Sequence, residues 1–182
     1  MQSGLDPKKL VFVDESGAKT NMTRLYGRAP VGQRLVDHTP HGHYVNNTYV
    51  CGLRYDRIVA PHVFAGAMNA ARFVSYIETI LLPTLRKGDI VVIDNLSAHL
   101  DGRVKPLLES KGVILLYLPA YSPDLNPIEL SFSKLKAILR KEKIRDGPTL
   151  QKFLLESRHL FAKKECQNYF KHDGYTRLCS KI

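Results

Sequence analysis

Two runs of four apolar residues, Leu10-Val11-Phe12-Val13 and Ile90-Val91-Val92-Ile93, each stop at an aspartate, Asp14 and Asp94. A run with no polar alternation makes a strand covered on both faces, which places it inside a sheet flanked by helices. The rest of the sequence fits that constraint. Residues 44–55 and 57–64 are rich in Val, Tyr and Ile around Asp56-Arg57, the pattern of a β-hairpin. Residues 69–82 carry Phe73, Ile77, Ile80 and Leu81 at helical spacing and end near Pro83. Residues 101–110 read as a short helix, 113–117 as a strand, and 127 to about 145 as a long helix closed by Asp146-Gly147-Pro148. A last helix begins at Leu150 and reaches about Phe161, while residues 20–39, rich in Gly, Pro and Arg, read as loop. The order implies an α/β fold with a mixed five-stranded sheet, antiparallel at the hairpin and parallel across the helical crossovers.

The chain of 182 residues suits one domain, with a core over about 8–146 and a helical tail over about 149–182. No apolar run approaches the about 18 residues of a membrane span, and no signal peptide opens the chain. Cys51, Cys166 and Cys179 form no CxxC pair, so they read as free thiols in a reducing cytoplasm. The formal net charge is +10, and from Ser131 onward thirteen basic residues stand against five acidic ones. A basic excess gathered in one segment fits a polyanionic partner as well as a solvated surface.

Carboxylates carry the chemistry. Asp14 and Glu15 alternate in direction along their strand, so only one of them faces a given site. Asp94 sits beyond the carboxyl end of a buried strand, where open α/β sheets bind ligands, with Asn95 and His99 behind it. Turn chemistry accounts for both aspartates equally well at this stage. Glu129 falls three residues after Asn126 and two after Pro127, the spacing of a capping box at a helix start. Along that helix Ile128, Phe132, Leu135 and Leu139 form an apolar stripe. Glu129, Ser133, Lys136, Arg140 and Lys143 form a second stripe about 100° away, a carboxylate trailed by cations. Lys134, Lys136, Arg140 and Lys143 are the candidate DNA-binding residues. His38, His41 and His43 lack zinc-type partners, and no phosphate-binding glycine loop or nucleophile elbow is present. Phe153, Phe161, Tyr169 and Phe170 read as core aromatics.

Three segments taken together resemble a known family. Val11-Phe12-Val13-Asp14-Glu15-Ser16, Val92-Ile93-Asp94-Asn95-Leu96-Ser97-Ala98-His99 and Leu118-Pro119-Ala120-Tyr121-Ser122-Pro123-Asp124-Leu125-Asn126-Pro127-Ile128-Glu129 resemble the catalytic domain of DDE transposases, in the bacterial insertion-sequence branch of the Tc/mariner superfamily. The 34 residues between Asp94 and Glu129 are similar to that superfamily's interval. The resemblance spans roughly residues 10–145, and Gly174-Tyr175 looks family-like too. Phe132 stands where the family often has Trp.

The resemblance implies a ribonuclease H-like fold with Asp14, Asp94 and Glu129 as the catalytic, metal-binding triad. Asn95, His99 and Asn126 would be positioning residues. It also implies two Mg²⁺ ions, with Mn²⁺ able to substitute. The reaction would cut DNA at transposon terminal inverted repeats and join the 3′ ends to target DNA, commonly at TA. A homodimer on DNA and a cytoplasmic, nucleoid-associated bacterial location follow. Relatives carry helix-turn-helix modules ahead of this domain; the expectation here is that the module is absent from this sequence, with a separately encoded segment, a shortened chain and a decayed remnant as open alternatives. Two alternatives stay open: a metal-dependent nuclease that cuts without joining, and an inactive DNA-binding or regulatory remnant.

Overall fold

The computed structural model describes residues 5–176, so Cys179 and the end of the tail lie outside the described residues. Five strands form one sheet in the order β3-β2-β1-β4-β5. These are β1 (Leu10–Lys19), β2 (Asn46–Arg54), β3 (Arg57–Ala65), β4 (Ile90–Ile93) and β5 (Ile114–Tyr117). β1 pairs antiparallel with β2 and parallel with β4, and β4 pairs parallel with β5. The sheet is therefore mixed, as the hairpin and crossovers require.

The helices are α1 (Ala70–Tyr76), α2 (Val104–Ser110), α3 (Ile128–Glu142), α4 (Gly147–Glu156) and α5 (Lys163–His172). The unalternated apolar runs are covered on both sides. Phe12 and Val92 join one core with α3, α4 and α5, whereas Val11, Val13, Val91 and Ile93 join a second core with α1 and α2. All four members of the expected α3 stripe, Ile128, Phe132, Leu135 and Leu139, are buried in the first core.

Three elements differ from the sequence reading. β1 does not stop at Asp14; it continues to Lys19, because Glu15 to Lys19 pair with Val50 to Asn46 of β2. The helix expected over 69–82 is α only to Tyr76, then widens into a π turn over Ile77–Leu81, where the Leu82 N–H reaches the Ile77 carbonyl. Pro83, which has no N–H to donate, stands in the 3-10 turn that follows. The last helix is two helices, α4 and α5, separated by a 3-10 turn at Ser157–Leu160.

The tail closes over the first core. Phe170 and Tyr175 meet Phe12 edge-on, with ring centroids 5.4 and 4.9 Å away. The Tyr175 hydroxyl donates to the Leu125 carbonyl at 2.7 Å, just ahead of α3. Gly174 reverses the chain after α5 at φ 82°, which a side-chain-bearing residue would resist. Cys51 and Cys166 are buried free thiols. No helix among the described residues is long and apolar enough to cross a membrane.

Candidate active site

Three chain segments bring the candidate acids to one end of the sheet. β1 carries Asp14 in its middle, opposite Cys51 of β2. β4 ends at Ile93 and leaves Asp94 at the start of the next loop. The Leu118-to-Asn126 loop delivers Glu129 in the first turn of α3. Asp94, Asn95, Asn126 and Glu129 share the wall of a cleft of about 330 Å³.

Asp14 adjoins the cleft wall through Asn126 and is 5% exposed. The Asn126 side-chain amide donates to its Oδ2 at 2.9 Å, and the Glu15 N–H donates to its Oδ1 at 2.7 Å. Both carboxylate oxygens are thereby oriented. Burial pushes the Asp14 carboxyl up to about 8; the charge of Glu15 adds to the rise, the Glu15 N–H opposes it, and Asp94 and Glu129 add further. Asp94 and Glu129 thus both act on the charge of Asp14.

Asn126 corrects the capping reading. Its NH₂ donates to Asp14, and its side-chain oxygen accepts no capping hydrogen bond from the helix. α3 starts from Pro127 without a side-chain cap. Glu129 is exposed, and its side chain makes no hydrogen bond among the described residues. It is free to face the cleft.

His99 is fully buried, in a 3-10 turn after β4. Its Nδ1 is hydrogen-bonded to Asp94 Oδ1, and its Nε2 lies 2.9 Å from Glu15 Oε2. Phe73 packs against the ring at 4.1 Å between centroids. Burial alone would lower the imidazole's pKa, but the hydrogen bonds to Asp94 and Glu15 outweigh it and hold the ring at about 9. A charged imidazolium thus ties two carboxylates together. Glu15 is the residue that sequence reasoning set aside. Alternation correctly put it on the face opposite Asp14, and that face is where His99 waits.

Asn95 is exposed and lines the cleft. Lys136 and Arg140 extend from α3 with no ion pair or hydrogen bond among the described residues. The other two candidate DNA-binding cations are engaged elsewhere. Lys134 donates to the Leu160 carbonyl at 2.7 Å and to Glu165 at 2.6 Å, and lies over the Phe161 ring. It ties α3 to α5, so its charge is spent inside the molecule. Lys143 donates to Asp37 of the long β1–β2 loop at 2.9 Å.

The donor set around the cleft is oxygen-rich, which suits a hard divalent cation. An acid held near neutrality by burial and by neighbouring acids is one that such a cation would ionise. The acids converge without closing a cage: among the described residues no three His, Cys, Asp or Glu side chains surround one metal position. Asp94 is turned to His99 and Asp14 to Asn126.

Comparison with known proteins gives the family and the fold. The sequence model of the DDE superfamily endonucleases matches residues 9–151. The chain belongs to that superfamily. No curated protein matches it in sequence. Among solved structures, this DDE domain is similar to the Mos1 transposase in a paired-end complex with the left transposon end (TM-score 0.72, 18% identity, 90% of this chain and 52% of that one). It is also similar to the Mos1 paired-end complex with Mg (TM-score 0.71, 21% identity, 92% and 52%) and to the isolated Mos1 catalytic domain (TM-score 0.63, 16% identity, 91% and 76%). The chain spans about half the length of the transposases in those complexes. The mixed five-stranded sheet flanked by helices is the ribonuclease H-like fold of that catalytic domain.

Proposed function

We propose that this DDE domain is the catalytic domain of an insertion-sequence transposase of the Tc/mariner type. It would carry out divalent-metal-dependent phosphoryl transfer on DNA, cutting element ends and joining the freed 3′ ends to a target, commonly at TA. The observation that carries the reading is the cleft that Asp94, Asn126 and Glu129 share, with the buried Asp14 carboxylate bonded to Asn126 at its wall. The 21% identical Mos1 complex with Mg and a second with Mn support a divalent ion. The paired-end complexes support transposon-end DNA as the partner.

Asp14, Asp94 and Glu129 would hold two Mg²⁺ ions, with Mn²⁺ as a substitute. Such ions activate water or a 3′-hydroxyl and stabilise the leaving oxygen. The protein's own part is orientation. Asn126 and the Glu15 N–H aim the two oxygens of Asp14, and His99 steadies Asp94. Asn95 sits at the cleft wall within reach of a substrate strand. Lys136 and Arg140 follow Glu129 along α3 by about 10 and 16 Å of helix rise, a track for a DNA backbone. A homodimer on DNA, and end recognition by a helix-turn-helix segment on this or another polypeptide, complete the proposal, with the bacterial nucleoid as the place of action.

Asp94→Asn is the decisive variant. Nicking and strand transfer are measured on plasmid DNA carrying the element ends, with Mg²⁺ or Mn²⁺. The expected result is loss of both products with an unchanged circular dichroism spectrum. Full activity in the variant would sink the reading. Nicking without joined product in the wild-type chain would reduce it to a nuclease, and calorimetry showing no divalent-ion binding would make it a remnant.

A further inference from the structure

The far end of the sheet holds a second polar cavity, of about 370 Å³. Four elements meet there. The 3-10 turn before β1 supplies Lys8, the β2–β3 turn supplies Arg54 and Arg57, the approach to β4 supplies Arg86, and the start of α5 supplies Lys163. Arg54 is in register with Val11 at the beginning of β1, and it binds Asp89, which immediately precedes β4. Asp94 lies five residues further along, so the cavity is about 16 Å of strand away from the acidic rim. Asp56 is the acid of the wall, and it is paired with Arg57 at 2.9 Å.

Arg54 is 6% exposed. Its terminal nitrogens donate to both oxygens of Asp89 and to the Thr84 carbonyl. Its Nε–H is buried and has no acceptor among the described residues. A buried donor of this kind is nearly always satisfied in a native protein, so an acceptor belongs beside it. Lys8, Arg86 and Lys163 have exposed side chains without an ion pair or hydrogen bond among the described residues. Three free cations thus rim a cavity that Arg54 helps to line, while the nearby acids Asp56 and Asp89 are already neutralised by arginines.

We propose that this cavity binds a phosphate group, held by the charges of Lys8, Arg86 and Lys163 beside the Arg54 guanidinium. Several charge-assisted donors from separate elements suit a phosphate's oxygens better than a single carboxylate's two. The phosphate belongs either to a DNA strand crossing the face opposite the acidic rim or to a small phosphorylated molecule. The site does not depend on the catalytic reading.

The test follows the Arg54 Nε–H and the amides of Tyr55 and Asp56 by nuclear magnetic resonance, on the whole chain in EDTA. One arm adds inorganic phosphate and the other a short DNA duplex of arbitrary sequence. The expected result is a saturable shift of these signals in at least one arm. The exposed pair Arg86→Ala and Lys163→Ala should weaken it by about ten-fold or more, with the spectrum of the unliganded chain otherwise unchanged. A shift by duplex that competes with phosphate assigns the ligand to a DNA backbone; a shift by phosphate alone assigns it to a small molecule. No saturable shift in either arm, or one weakened less than this in the double variant, overturns the proposal. Asp94→Asn should bind both probes at this cavity as the wild type does, which separates this site from the metal-dependent one.

Discussion

At the scale of single residues, the site rests on two tied carboxylates, Asp14 through Asn126 and Asp94 through His99. The pH consequences can be signed. Asp14 is raised from 3.8 to about 8, so its contribution to stability is complete below 3.8 and is lost as pH rises through 8. His99 is raised from 6.5 to about 9, so its contribution is complete below 6.5 and is lost as pH rises through 9. Both push the same way. Metal-free protein should therefore melt at progressively lower temperature from pH 6 to pH 9. The loss is on the order of 1.4 kcal/mol per pH unit for each proton that the folded chain retains and the unfolded chain releases. Mg²⁺ or Mn²⁺, which favours ionised Asp14, should raise the melting temperature more at the alkaline end. A melting temperature that climbs with pH in EDTA would contradict this. Glu15 supplies a second prediction. Glu15→Gln keeps the shape beside His99 but removes the charge, and should weaken Mn²⁺ binding by about ten-fold, as read by calorimetry. Unchanged affinity would leave Glu15 a packing role. The proposed triad could be nominated from sequence because each acid sits in a long motif. Glu15 was not, since its partner is 84 positions away and reaches it from the opposite face of β1.

At the scale of elements, α3 shows what periodicity can and cannot report. Its apolar stripe was legible, because burial depends only on which side chains share a face, and 3.6-residue spacing fixes that. The fate of its cations was not. Lys134 and Lys136 look equivalent in sequence, but Glu165 and the Leu160 carbonyl capture Lys134 from the tail, 31 and 26 positions on. The same limit explains Asn126, whose local propensity to cap yields to Asp14, 112 positions earlier. It also explains β1, where Ser16-Gly17 looks like a turn until β2 pairs with it. The helix can be dissected accordingly. Lys134→Ala should lower the melting temperature, with about 1 kcal/mol lost from a partly exposed tie, and leave the salt dependence of DNA binding unchanged. Lys136→Ala with Arg140→Ala should do the reverse, flattening the slope of log affinity against log salt by about two units at constant stability. Equal slopes for the two variants would refute this division of labour.

At the scale of the whole molecule, the matched family region and the folded unit have different extents. The match ends at residue 151, whereas the first core draws on Leu154, Phe161, Cys166, Phe170 and Tyr175. Mixed pairing and two-sided burial were legible because short apolar runs leave few alternatives. The closing of the tail was not, because α5 has few apolar residues and its anchors, Cys166 and Phe170, are only four apart. Those anchors nevertheless cover Phe12, the residue two before Asp14 in β1, and Tyr175 holds the loop that leads to Asn126 and Glu129. Stability of the tail is therefore stability of the site. A chain cut after residue 151 should lose cooperative urea unfolding and bind a hydrophobic dye, since the sheet face beneath α5 would be bare. Tyr175→Phe is the finer probe. It keeps the ring on Phe12 but removes the hydrogen bond to Leu125, so it should cost about 1 kcal/mol in urea unfolding. Its larger effect should fall on divalent-ion affinity, because the loop that presents Asn126 and Glu129 would lose its anchor. If the truncated chain unfolds cooperatively with the wild-type midpoint, the tail is an appendage and the acidic rim stands without it.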